Sequence, residues 1–201
     1  MFSLTNEAMI TTGGRVYARR LLAVLAAIVT AASLRAGSEA DTQINVRENN
    51  GLYTVTAAFQ VLQPASVAFR VLTDYEQIPT FMPDVRTSVV LERSDNWAVI
   101  EQEATAKFLM FSKRVHLVLE VQEQLGTIRF RDTCGKSFTT YEGSWTLTQK
   151  NRHTLVNYEL VAKPSFDVPE FLLKRLLKRD ASEMIEKLQG EIAARARQPR
   201  H

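Results

Sequence analysis

With a single cysteine, Cys134, in 201 residues, the chain cannot close an internal disulfide or hold a cysteine-based metal cluster. Histidine is scarce too: His116, His153 and His201 stand far apart, and no His-x-x-x-His or Cys-x-x-Cys spacing occurs. No metal site is expected. The glycines are scattered, and their one adjacent pair, Gly13-Gly14, precedes the folded part, so no phosphate-cradling loop is present. No Gly-x-Ser-x-Gly elbow occurs, and Cys134 has basic neighbours, Arg131 and Lys136, but no partner histidine in sequence. No cofactor is expected.

A strong charge of one sign is also lacking. The formal net charge is +3, but Arg15, Arg19, Arg20 and Arg35 against Glu7 and Glu39 fall in the first forty residues, which leaves 21 basic and 20 acidic side chains beyond them. A nearly neutral domain has no electrostatic footprint for nucleic acid. What is present is apolar content of 45%, enough for one domain with a core of its own.

The longest apolar run, Leu21 to Ala32, follows Arg15, Arg19 and Arg20 and is too short to span a bilayer, which needs about 20 residues. With Ser38-Glu39-Ala40 behind it, the segment reads as an export signal. Residues 1–40 are therefore expected to be removed after Ala40, releasing a periplasmic or otherwise exported domain of residues 41–201. The alternative is an uncleaved N-terminal membrane anchor.

Beyond that point Tyr53, Val55, Ala57, Phe59 and Val61 alternate as a half-buried strand requires. Pro64 opens a helix carrying Val67, Ala68, Val71, Leu72 and Tyr75, and Pro79 and Pro83 break its continuation into a short passage over Asp74–Met82. Six further period-two segments follow, near 87–92, 97–107, 113–122, 127–132, 141–149 and 154–163, making about seven antiparallel strands. Pro164 and Pro169 end the sheet. A helix of roughly 25 residues then carries Phe171, Leu172, Leu176, Leu177, Met184, Ile185, Leu188 and Ile192 as its apolar stripe. That order predicts an α+β helix-grip fold, a curved antiparallel sheet wrapped around a long C-terminal helix with an apolar cavity between them.

Several short motifs carry a resemblance: Asp74-Tyr75 with Pro79, Phe81 and Pro83, then Ser112-Lys113-Arg114-Val115-His116-Leu117, Lys136-Ser137-Phe138 and Gly143-Ser144-Trp145. Over residues 45–195 the chain resembles the START-like polyketide cyclase/dehydrase superfamily, and within it the coenzyme Q-binding protein family. The resemblance implies a cavity for sterols, lipids, quinones or polyketides.

The expected lining is the large apolar side chains of the inward faces: Phe59, Val61, Phe81, Met82, Phe130, Tyr141, Trp145, Leu147, Phe171, Leu172, Leu176 and Met184. A filled core has the same pattern. On the strand over 113–122, Val115, Leu117, Leu119 and Val121 form the buried set, which puts His116 on the outer side; the direction of Glu101 and Glu103 stays open. The expected partner is a hydrophobic small molecule, a quinone or lipid, bound and carried without being transformed. Acid–base catalysis of the cyclase type, which leaves little trace in sequence, is the alternative. A third reading is a membrane-surface module acting through Phe171 to Arg179, with the burial or exposure of Leu173 as its test.

Overall fold

A computed structural model describes residues 42–108 and 111–197. The expected export segment, residues 1–40, lies outside the described residues. Eight strands form one antiparallel sheet: β1 (Gln43–Asn49), β2 (Leu52–Val61), β3 (Val85–Ser94), β4 (Trp97–Phe108), β5 (Phe111–Gln124), β6 (Thr127–Asp132), β7 (Phe138–Lys150) and β8 (His153–Pro164). Their order across the sheet is β1-β2-β8-β7-β6-β5-β4-β3. Helix α1 (Ala65–Thr73), a 3-10 turn (Tyr75–Gln77) and the short α2 (Ile78–Phe81) lie between β2 and β3, and α3 (Glu170–Arg197) follows the sheet. This is the helix-grip fold.

One strand more than expected is present. In β1 only Ile44 and Val46 are apolar and no residue is fully buried, so its alternation is faint. The signal that finds it is the turn: Asn50 and Gly51 both take positive φ, 53° and 76°, as a two-residue hairpin between β1 and β2 requires. The short broken passage over Asp74–Met82 is realised as the 3-10 turn followed by α2, with Pro79 in the first turn of α2.

The inner face of the sheet runs in rows fixed by register. Tyr53, Ala162 and Tyr141 stand side by side on β2, β8 and β7; next come Val55, Leu160 and Gly143, then Ala57, Tyr158 and Trp145, then Phe59, Val156 and Leu147. Helix α1 buries Val67, Ala68 and Val71, and α3 buries Leu173, Leu176, Ala181, Ile185, Leu188 and Ile192. Both helices thereby contribute to the core.

The stripe on α3 differs from the expected one at its start. Leu173 is buried at 5% exposure, whereas Phe171 is 76% exposed and Leu172 only half-buried. The first turns of the helix pack onto a separate apolar cluster in which Leu173 and Leu176 meet Tyr53, with Phe166 and Val168 alongside. Phe171 lies two residues away, roughly 200° around the helix axis, and so points away from that cluster.

Candidate functional site

A cavity of about 400 Å³ lies between the concave sheet face, α3 and the segment after α1. Its walls are the inner-face residues of successive strands: Tyr53 and Val55 on β2, Ile100, Gln102 and Ala104 on β4, Val115, Leu117, Leu119 and Val121 on β5, Ile128 and Phe130 on β6, Tyr141 and Trp145 on β7, and Tyr158, Leu160 and Ala162 on β8. Ile78, Phe81 and Met82 close one side; Leu173, Leu176, Leu177, Met184 and Leu188 of α3 close another.

Seven of the twelve expected lining residues therefore face the cavity: Phe81, Met82, Phe130, Tyr141, Trp145, Leu176 and Met184. Five do not. Phe59, Val61 and Leu147 are on the correct sheet face but sit in the filled core, because the trough beyond the Tyr158–Trp145 row is occupied by side chains of α1 and the C-terminal half of α3. Phe171 and Leu172 fall outside through the rotation of α3. Leu173 and Leu177 take their place.

Aromatic side chains make up one wall. Trp145 and Tyr158 are directly opposite on β7 and β8 with ring centroids 4.3 Å apart, and Phe138 and Tyr141 are 4.9 Å apart. Phe130 opposes Gly143 across β6 and β7, and a Cβ at 143 would come within 2.6 Å of Phe130 Cζ and collide with the Glu159 carbonyl oxygen. Glycine thus leaves the space that the Phe130 ring covers, a pairing known to shield strand glycines.

Few polar groups reach the interior. Gln102 donates from Nε2 to Ser88 Oγ at 3.0 Å. Burial pushes the Tyr141 hydroxyl up to about 12 and that of Tyr158 well above its ordinary value, with a smaller charge contribution from Asp132 in the first case and from Tyr141 in the second. Both hydroxyls stay protonated across the physiological range.

The mouth is where charge gathers, lined by Pro83, Asp84, Val85, Thr105, Asp180, Glu183 and Lys187. Lys107 Nζ bonds Asp84 Oδ1 at 2.7 Å, and Arg179 donates both to Asp180 Oδ1 at 2.8 Å and to the Lys107 carbonyl oxygen at 3.1 Å. Burial raises the Asp180 carboxyl above the usual range, partly offset by the Arg179 guanidinium. Asp84, Asp180 and Glu183 balance Lys107, Arg179 and Lys187, so the rim carries no strong field of one sign.

Two latches hold the segment over the cavity. Asp74 pairs with Arg195 near the end of α3, while Tyr75 reaches Glu123 on β5. Glu123, buried at 8% exposure, is a carboxylate that sequence reading passes over, since Gln122 and Gln124 flank it in a polar strand end. By contrast Glu101 and Glu103 point outward with His116, whose Nε2 lies 3.1 Å from Lys136 Nζ and 3.5 Å from Glu101 Oε1. The motif residues of the third and second segments meet there as well, the His116 backbone N–H donating to Ser137 Oγ at 3.0 Å. Among the described residues no group of His, Cys, Asp and Glu could hold a metal ion, and no helix is long and apolar enough to cross a membrane.

The family described as polyketide cyclase / dehydrase and lipid transport matches residues 61–189. The chain belongs to that family. Solved structures agree in fold: a START superfamily protein from Mycobacterium smegmatis superposes with a TM-score of 0.60 at 17% identity over 70% of this chain and 97% of its own. The Zhui aromatase/cyclase from Streptomyces sp. R1128 gives 0.61 at 15% identity over 73% and 96%. A STAR-related lipid transfer protein from Xanthomonas axonopodis gives 0.60 at 16% identity over 76% and 98%. At such identities the likeness is one of fold. No curated protein matches the sequence.

Proposed function

We propose that this family member binds and carries a neutral hydrophobic small molecule, of quinone, polyketide-like or lipid class, without transforming it. The observation that carries the reading is the apolar cavity of about 400 Å³ with a charged but balanced mouth. A cavity of about 150 Å³ takes one benzene, so this one takes on the order of two to three rings, or a comparable stretch of acyl or isoprenoid chain. Each buried CH₂ contributes about 0.8 kcal/mol. A longer tail, as in coenzyme Q, exceeds that volume and has to leave through the mouth.

Carriage fits better than cyclisation because the titratable groups of the interior are tyrosines raised far from neutrality, whereas an acid–base catalyst works best with a pKa near the operating pH. One observation favours the cyclase/dehydrase alternative: the Asp180 carboxyl at the mouth is raised by burial, the direction a general acid needs. Loading at an anionic membrane surface, through the exposed Phe171 and the basic Lys174, Arg175 and Lys178 beside it, remains part of the proposal, although the burial of Leu173 counts against it. So does export of residues 41–201 after cleavage behind Ala40.

Native mass spectrometry with lipid extraction, on protein purified from its own compartment, tests the whole reading. The expected result is a chain beginning at Asp41 with one co-purifying quinone, polyketide or lipid per protein. A chain that is free of ligand, and stays so after incubation with quinones and lipids, sinks the carrier reading; an intact N-terminus overturns the cleavage alone.

A further inference from the structure

Tyr158 is 7% exposed, and Tyr141 is half-buried on the neighbouring strand; only the Gly143–Leu160 row stands between them on the inner face. Both line the cavity, and each is close enough to the other for Tyr141 to influence the ionisation of Tyr158. Among the described residues every fully enclosed side-chain nitrogen or oxygen has a hydrogen-bond partner. Among those residues neither tyrosine hydroxyl has one, so neither is fully enclosed, and both residues line the cavity. Of the two other tyrosines of the wall, Tyr75 spends its hydroxyl on Glu123, and the hydroxyl of Tyr53 lies toward the charged Glu48, Glu170 and Lys174, so neither is available.

Two donors in a dry, apolar space call for an acceptor, because a desolvated hydroxyl without a partner is costly. No lysine or arginine lines the interior away from the mouth, so an anionic acceptor there would be an uncompensated buried charge. The acceptor is thus neutral. The aromatic pairs of this wall, Trp145 with Tyr158 tilted by 34° and Phe138 with Tyr141 tilted by 46°, offer ring faces and edges that suit another ring system better than a saturated chain.

We propose that the ligand is a ring compound bearing a neutral carbonyl-type oxygen, received by hydrogen bonds from the Tyr141 and Tyr158 hydroxyls. This rests on the carrier reading and narrows it: a plain acyl chain would leave both hydroxyls unpaired, whereas a quinone or an aromatic ketone satisfies them.

The test compares 1-tetralone with tetralin, one bicyclic skeleton with a C=O or a CH₂ at the same position, by isothermal titration of the full chain. The tetralone is expected to bind at least tenfold more tightly. Tyr141→Phe and Tyr158→Phe, which keep the rings, should each weaken tetralone about five- to tenfold and leave tetralin within twofold. Equal affinities for the two probes in the unaltered protein, or tetralone binding indifferent to both substitutions, overturn the tyrosine proposal and leave the cavity reading standing. Failure of both probes to bind overturns the two together.

Discussion

Tyr75 donates its hydroxyl hydrogen to Glu123 Oε1 at 2.8 Å, joining the turn after α1 to the far end of β5 across 48 residues of sequence. Arg93 on β3 completes the arrangement, with its guanidinium 3.2 Å from the same oxygen and 5.4 Å from the centre of the Tyr75 ring. The carboxylate is buried but doubly satisfied, and the ring of Tyr75 forms part of the cavity wall. One residue thereby anchors the cover of the cavity and shapes its interior.

Tyr75→Phe should therefore cost about 1–2 kcal/mol while keeping the ring in place, since Arg93 still holds Glu123. Glu123→Ala should cost more, about 2–4 kcal/mol, because it leaves a buried hydroxyl without an acceptor and takes from Arg93 its carboxylate partner, leaving it only the Thr73 carbonyl oxygen. Urea denaturation midpoints at constant slope measure both. If the alanine variant proves no worse than the phenylalanine one, the network does not anchor the cover.

The raised tyrosines predict an alkaline limit to stability. A group whose pKa is higher in the folded than in the unfolded chain contributes stability that is complete below the unfolded value and lost as pH climbs toward the folded one. For Tyr141 that window runs from the ordinary value of 10.0 to about 12, and Tyr158 and Tyr75 shift in the same direction. Unfolding free energy should fall above pH 10 by about 1.4 kcal/mol per pH unit for each such tyrosine. Tyr141→Phe should remove one share of that slope; a slope that does not change would mean Tyr141 is not desolvated in the folded protein.

Gly143→Ala is expected to destabilise the domain by about 1–3 kcal/mol through overpacking against the Phe130 ring and the Glu159 carbonyl. Adding Phe130→Ala should recover only part of the loss, since the backbone oxygen cannot withdraw, and it opens a void of its own. Thermal melts of the single and double variants decide this, and full recovery in the double variant would count against the backbone clash.

At the mouth, Asp84→Asn takes the charge from the 2.7 Å pair with Lys107 that ties the loop after α2 to β4, leaving only a neutral hydrogen bond. Solvent reaches both side chains, so stability should hardly change. Release of a bound hydrophobic probe, followed by stopped-flow displacement, should quicken several-fold, and added salt should mimic the effect in the unaltered protein. Identical release rates would show that the pair does not govern passage.

Much of this architecture was legible in the residues. Period-two alternation assigns Val115, Leu117, Leu119 and Val121 to the inner face and His116 to the outer one, because side chains on a strand must alternate and only one face can be buried. The prolines at 79 and 83 fix where the cover breaks, and the single cysteine has no partner for an internal disulfide. Even the overlooked β1 is announced by its Asn50-Gly51 turn.

Depth along the trough is another matter. Phe59 and Leu147 share a face and a period with Tyr53 and Tyr141, yet the first two are core and the last two are cavity wall, because α1 and the end of α3 fill one end of the sheet and leave the other open. Periodicity states which way a side chain points, not what stands opposite. In the same way the swap of Leu173 for Phe171 follows from a rotation set by the cluster around Tyr53, and the Tyr75–Glu123 bond joins residues that no local pattern relates. Alternation and the last apolar stripe settle which sheet face is buried and that a long helix follows it; the packing of α1 and α3 settles where the protein is hollow.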